Sequence, residues 1–544
     1  MSAAYKDRTT EELKQEYASV KTEFEALKEK NLKLNMARGK PGKAQLDMVS
    51  DILTVLTTPE DCIVDGVDAR NYGELTGLRC AKEFWAELLG CRPEECFIGG
   101  NASLTLMYDT ISKAYTHGLL HSERPWCKLD TVKWLCPAPG YDRHFKVTES
   151  FGFELITVPM TPTGPDMDMV EELVKDPAVK GIWCVPKYSN PDGIIYSDET
   201  IHRMAALKPA APDFTIMWDN AYCVHEFDGD FVPFEDILTL CREAGNPDMV
   251  FEFASTSKIT LPGAGFSVMA TSVDNQKYME KLLSIQTISY DKVNALRHVR
   301  YLKNKEHTLE LMKKHAAFLK PKFECVLRHL DEQIAPLGIA SWERPKGGYF
   351  VSCNTAPGLA KRTLALCKEA GVVMTGAGAT FPYGKDPQDS NIRIAPSLPP
   401  VEELEQAMDV FCTCLKLAAL EGLGVRAAVP REERLIRSGG GWTTKVYTLL
   451  PGYVFLALEY SAENYYRVKA IPHVLRFLGP NGLSPSYLTH LEVEWLRLLD
   501  NGGELLKPSR VEELPGGGVR IVKGVLRNFP ISSIDYDKRT RRAK

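Results

Sequence analysis

Between Gly42 and about Ser272, short apolar runs of strand length alternate with stretches of helical periodicity, and few folds accept such an alternation. The runs are Thr131–Cys136, Glu154–Val158, Gly181–Val185, Thr215–Trp218, Met249–Phe253 and Phe266–Thr271. Strands joined by helical crossovers pair side by side as a mainly parallel sheet, so the expected fold class is α/β. In such a sheet, residues that carry chemistry belong on the loops after the strands' C-terminal ends.

Ahead of this region, Thr9-Thr10-Glu11-Glu12 fits a capping box. Leu13, Tyr17, Val20, Phe24 and Leu27 recur at helical spacing, so Thr9–Lys30 reads as a surface helix. LNMARGKPG (34–42) then turns to loop chemistry. Downstream, Tyr278–Leu319 reads as one or two long helices. Lys320 to about Leu420 reads as a smaller α/β unit closed by a helix over Val401–Leu420. The best boundary is Leu423–Pro430. Composition changes there: residues 426–544 carry 19 Lys and Arg against 12 Asp and Glu, although the whole chain is at −5. All 14 cysteines precede that boundary. Two units with different jobs are expected.

A hydrophobic fraction of 44% and no apolar run near the roughly 20 residues of a membrane helix argue against a membrane protein. Met1–Thr10 is polar and lacks a signal-peptide core, so a cytoplasmic address is expected. The cysteines form no CxxC pair and have no His partner at zinc spacing, so reduced structural thiols and no metal are expected. The Cys412/Cys414 pair falls in an apolar helical stretch.

The loops after the strands hold a consistent set of groups. Ser255-Thr256-Ser257-Lys258 offers an amine flanked by hydroxyls, and Trp218-Asp219-Asn220-Ala221-Tyr222 a carboxylate with a phenol three residues on. Tyr188-Ser189-Asn190-Pro191-Asp192-Gly193 offers an amide in a turn, and Pro139-Gly140-Tyr141 a ring to stack on. Gly99-Gly100-Asn101-Ala102-Ser103 leads into a helix near Leu104, where free N–H groups suit a phosphate. Arg393, in NIRIAPS, is able to clamp a carboxylate bidentately. Singly, each has a plainer reading: a helix cap, a turn or a structural ion pair. Together and in this order they meet the needs of pyridoxal 5′-phosphate (PLP), which wants a lysine, a phosphate cradle, a partner for its ring nitrogen, donors to O3′ and a stacking ring.

The order resembles the class I aminotransferases, and most closely the aspartate aminotransferase subgroup related to the aminotransferase domains of MocR-type regulators. The resemblance spans about residues 1–420 and rests on LNMARGKPG, NYGELTGLR, GGNASLTLMYD, PAPGYDRHF, YSNPDG, DNAYCVHEF, STSKITLPGAGF, KGGYF and NIRIAPS. It implies PLP fold type I: a three-layer αβα large domain at about 45–300, with a small domain from about 1–44 and 301–424. Lys258 would be the Schiff-base lysine and proton shuttle. Asp219 would pair with the pyridine nitrogen, and Tyr222 and Asn190 would contact O3′. Asn101, Ala102, Ser103 and Ser255 would hold the phosphate, and Tyr141 the ring. Gly39, Asn190 and Arg393 would bind the substrate, Gly39 and Arg393 at its α-carboxylate. Tyr72 would reach the neighbouring subunit's phosphate, which implies a homodimer. The activity implied is transfer of an amino group from aspartate to 2-oxoglutarate, the alternative being another PLP reaction such as β-decarboxylation.

One departure stands out. Class I members commonly place an arginine several residues after the lysine, whereas Ile259–Phe266 holds none. For the distal carboxylate of a dicarboxylic substrate, Arg38, Lys40, Lys292, Arg297 and Arg300 all remain candidates. About 30 residues precede LNMARGK, too few for the helix-turn-helix of a MocR regulator.

The tail resembles NusG-type transcription elongation factors. A partial α+β N-terminal-like segment spans 425–512, and a partial KOW-like β-barrel segment spans 513–544. The resemblance implies RNA polymerase as a partner, and an elongation or antitermination factor as the alternative function. No opening aromatic strand precedes Arg426 and the chain ends at Lys544, so a fused, incomplete module dispensable for catalysis is expected.

Overall fold

The computed structural model describes residues 4–423 continuously, and beyond them 426–428, 431–438, 441–448, 450, 455–457, 486–489, 492–493, 495–496, 510–514, 519–523, 536–537 and 542–543. Helix α1 (Thr10–Glu29) opens with the expected capping box: Glu12 N–H donates to Thr9 Oγ1 at 3.3 Å and Thr9 N–H to Glu12 Oε2 at 2.7 Å. There follow β1 (Leu34–Met36), α2 (Lys43–Met48), the hairpin β2–β3 (Ile63–Val64, Val67–Asp68), α3 (Arg79–Leu89), β4 (Cys96–Ile98), α4 (Ser103–Thr116), β5 (Lys133–Ala138), α5 (Asp142–Ser150) and β6 (Glu154–Thr161). Then come β7 (Gly164–Pro165), α6 (Met167–Leu173), β8 (Val179–Cys184), α7 (Asp198–Ala205), β9 (Thr215–Asp219), α8 (Ile237–Glu243), β10 (Val250–Ser255) and β11 (Ser267–Thr271).

Eight of these strands form one sheet in the order β4-β11-β10-β9-β8-β5-β6-β7. The run β10-β9-β8-β5-β6 is parallel throughout, while β11, β4 and β7 pair antiparallel at the edges. Continuous burial along β5, β8, β9 and β11 marks strands covered on both faces, as a parallel sheet between helices requires. All six expected strands form; β4, at three residues, is too short for a periodicity to register.

The region expected to hold one or two helices breaks into three: α9 (Val273–Gln286), α10 (Lys292–Leu302) and α11 (Lys305–His329). Each start has its own cap, Ser272, Asp291 and Asn304, and Lys303 takes a positive φ of 62° that no continuing helix tolerates. A second core gathers around β12 (Ala340–Trp342), β13 (Val351–Thr355) and β15 (Asn391–Ile394), which pair antiparallel, and around the parallel pair β1–β14 (Val372–Met374). Helices α12 (Ala360–Glu369) and α13 (Val401–Leu423) pack on it together with α1. Helix α11 serves both cores: Leu311 and Met312 sit in the first, Leu319 and Phe323 in the second.

Two compact units divide between Glu421 and Gly422. In the second, the described residues pair as Arg426–Ala428 with Phe455–Ala457, as a hairpin of Arg431–Ser438 with Gly441–Thr448, and as two shorter antiparallel pairs near the C-terminus. Most of 458–509 lies outside the described residues, and with it much of the expected NusG-like segment.

Glu252 on β10 is an acid inside the sheet. It is 2% exposed, accepts from Asn220 Nδ2 at 2.9 Å through one oxygen and has no partner for the other. Burial, with Asp236 nearby, pushes its carboxyl up to about 8. A carboxyl raised in the folded state supports folding fully below its unfolded value and loses that support as pH rises through the folded value. Glu252→Gln is therefore expected to gain thermal midpoint over the parent as pH rises from 5 to 8, measured by calorimetry; parallel curves would show that Glu252 is already charged when folded.

Candidate functional site

The C-terminal ends of β5, β8, β9 and β10 are sheet neighbours, so the loops leaving them converge. Asp219 ends β9, 3% exposed. His144 Nε2–H donates to its Oδ2 at 2.9 Å, while Oδ1 is buried with no partner. His144 is held in turn by stacking on Trp183, 4.4 Å between centroids at 13°. Tyr141, the residue before α5, packs edge-on to His144 at 4.9 Å. Burial and the Asp219 charge push its phenol up to about 12.

Lys258 ends a short 3-10 turn directly after β10. Its Nζ lies 4.7 Å from the centroid of the Tyr222 ring. Desolvation lowers its amine from the ordinary lysine value, with Asp219 opposing. Burial raises the Tyr222 phenol well above its usual range. His225, 1% exposed, lies nearby with neither ring nitrogen partnered, and burial and Lys258 hold it far below an ordinary histidine.

Arg393 on β15 reaches the same edge from the second core. Its Nη1 donates to Asp142 Oδ1 at 2.9 Å and to Asn190 Oδ1 at 3.1 Å, and its Nε is buried without a partner. The guanidinium stands 4.9 Å from the centre of the Phe350 ring. Gly39 lies against that ring: a Cβ there would meet Phe350 Cζ at 2.6 Å. Helix α4 starts at Ser103, with Ala102 as its extended N-cap and Asn101 exposed just before it. Ser255 Oγ donates to Ser257 Oγ at 3.1 Å.

The structure thus gathers Lys258, Asp219, Tyr222, Tyr141, Asn190 and Arg393 at one sheet edge. It sets Tyr72 apart, in a loop and 80% exposed. Sequence reasoning missed His144, Asp142 and Trp183. Asp142 and His144 stand in the quoted PAPGYDRHF, but only the fold shows that they touch Arg393 on β15 and Asp219 on β9. It missed Asp192 as well, whose carboxyl burial pushes up to about 6.

A family model described as "Aspartate amino-transferase" matches residues 8–426, and one described as "Transcription termination factor nusG" matches 414–497. An aspartate aminotransferase of Corynebacterium glutamicum is 48% identical over 420 residues, covering 77% of this chain and 97% of the relative. A crystal structure of an aspartate transaminase from that species superposes with a TM-score of 0.76 at 48% identity, covering 78% of this chain and all of the other. A transcription termination/antitermination protein NusG of Buchnera aphidicola is 28% identical over 127 residues, covering 23% of this chain and 70% of the relative.

Because Gly39 leaves no room for a side chain, Gly39→Ala is expected to displace the Phe350 ring and the guanidinium beside it. Binding of a dicarboxylate such as succinate, followed by calorimetry, should weaken on the order of tenfold. Unchanged affinity would show that the 38–42 loop yields without disturbing Arg393.

Proposed function

The chain belongs to the aspartate aminotransferase family and is a PLP-dependent aminotransferase; on that premise we propose that it moves the amino group of aspartate to 2-oxoglutarate. The observation that carries the site assignment is the unpartnered, buried Asp219 Oδ1 within a set of groups that fits the cofactor. A carboxylate held from one side by His144 has one oxygen left for a protonated ring nitrogen, and an opposite charge favours that protonated form.

PLP, when bound, supplies the electron sink for chemistry at the substrate α-carbon. The residues divide the remaining work. Lys258 holds the cofactor and, with an amine depressed by burial, takes and returns a proton. Tyr222 and the Asn190 amide would hold the ring hydroxyl, and Tyr141 would hold the ring. Asn101, Ala102, Ser103 and Ser255 hold the phosphate at the start of α4. Arg393, pre-aimed by Asp142 and Asn190, binds the substrate α-carboxylate, with Gly39 opposite. Tyr72, exposed on one chain, serves the phosphate of a second copy, which makes the working form a homodimer.

The reading is tested by the visible spectrum of the purified protein before and after aspartate, with Lys258→Ala alongside. The cofactor band should shift on adding aspartate, 2-oxoglutarate should restore it, and the variant should show neither change. A parent protein that releases CO₂ from aspartate and needs no 2-oxo acid would instead be a β-decarboxylase.

The match at 414–497 favours a second activity, contact with RNA polymerase through the basic residues 426–544. Co-purification with RNA polymerase that is lost when 426–544 are removed would support it. Retained PLP binding and transamination in the same truncation would show the tail dispensable for catalysis.

A further inference from the structure

The turn after Lys258 lacks a cation, and a guanidinium close to it lacks an anion. Residues 259–266 contain no arginine. Their loop is instead braced by α10: Asn294 Nδ2 donates to the carbonyls of Ala264 at 3.1 Å and Gly265 at 2.8 Å. Gly265 abuts the phosphate cradle, since a Cβ there would stand 3.1 Å from the Asn101 carbonyl and 3.3 Å from the Ser257 nitrogen. The Oδ1 of the same Asn294 accepts from Arg297 Nη2. The side chain of Arg297 is therefore tied, through one asparagine, to the loop that borders Asn101 and Ser257.

Arg297 is half-buried, its Nε is fully buried without a partner, and no carboxylate pairs with it among the described residues. Other arginines that are partly or wholly buried here are neutralised, Arg393 by Asp142, Arg242 by Glu95 and Arg203 by Asp168. A buried, uncompensated charge is costly unless a ligand supplies its counter-ion. The adjacent His298 adds no competing charge at neutral pH, because burial, with Arg297 adding to it, lowers its imidazole to about 4.

We propose that Arg297 provides the phosphate-binding cation of the cofactor site, replacing from α10 the arginine that the loop after Lys258 lacks. The ligand group is the phosphate-ester dianion, and the assignment rests on the reading that Lys258 binds PLP. The test is spectroscopic titration of the full-length, cofactor-stripped chain with PLP and with pyridoxal, which lacks the phosphate, for the parent, Arg297→Met and Arg297→Lys. Arg297→Met should bind PLP roughly tenfold to a hundredfold more weakly. Its pyridoxal affinity should be unchanged, and Arg297→Lys should fall between. Unchanged pyridoxal binding also reports an intact Lys258 pocket. Equal loss of both ligands, or unchanged PLP affinity with a raised KM for aspartate, would overturn the proposal; the second result would assign Arg297 to the substrate's distal carboxylate. A parent chain that binds neither compound would overturn the Lys258 reading itself.

Discussion

Parallel pairing of β10, β9, β8 and β5 decides where everything else in the first unit can go. Parallel neighbours point their C-terminal ends the same way, so four successive loops leave one edge of the sheet together. The register sets Phe253 beside Asp219 and Cys184 beside Trp218. Lys258, five residues beyond Phe253, is thereby carried to the carboxylate without any long loop. Both faces of these strands are covered, so the groups at the edge stand against low-dielectric walls rather than open water. Burial then drives their protonation behaviour.

That environment treats the two central charges differently. Asp219 keeps one oxygen in a hydrogen bond from a histidine that Trp183 fixes by stacking. Lys258 has an aromatic face beneath it, and desolvation outweighs the opposing Asp219 charge, so its neutral form gains. An anchored carboxyl group and a readily deprotonated amine therefore coexist in one pocket. The lowered amine would not persist on a solvated loop, where Lys258 would return to its ordinary value.

The strands and most of the site were legible because their signals are local. Each of the six apolar runs became a strand, and Lys258, Asp219, Tyr222, Asn190 and Tyr141 stand in motifs whose positions at strand ends follow from the alternation itself. What stayed illegible depends on tertiary contact. Nothing in the sequence of α5 says that His144 faces Asp219, 75 residues away, or that Asp142 orients Arg393 across 251 residues. The split of 273–329 into three helices was hidden for the opposite reason. Its breaks lie in short polar stretches, at Asp291 and at Lys303-Asn304, which periodicity passes over.

Arg393 and Gly39 come from the second core, and their usefulness depends on a fixed relation to Lys258 in the first. Helix α11 crosses between the cores, and His315 stands on the stretch between Met312 and Leu319. Its Nε2–H donates to the carbonyl of Ile259, the residue after Lys258, at 2.9 Å. Its Nδ1 accepts from Gln45 Nε2 at 3.1 Å, and Gln45 Oε1 accepts from the Gly42 N–H at 3.2 Å. One imidazole thus joins the lysine turn to the loop that carries Gly39. The link needs a ring that donates on one side and accepts on the other, which only the neutral form does. Burial, which lowers His315 to about 4, keeps it in that form across the neutral range, so the same desolvation that lowers the Lys258 amine also holds the loop that carries Gly39 in place.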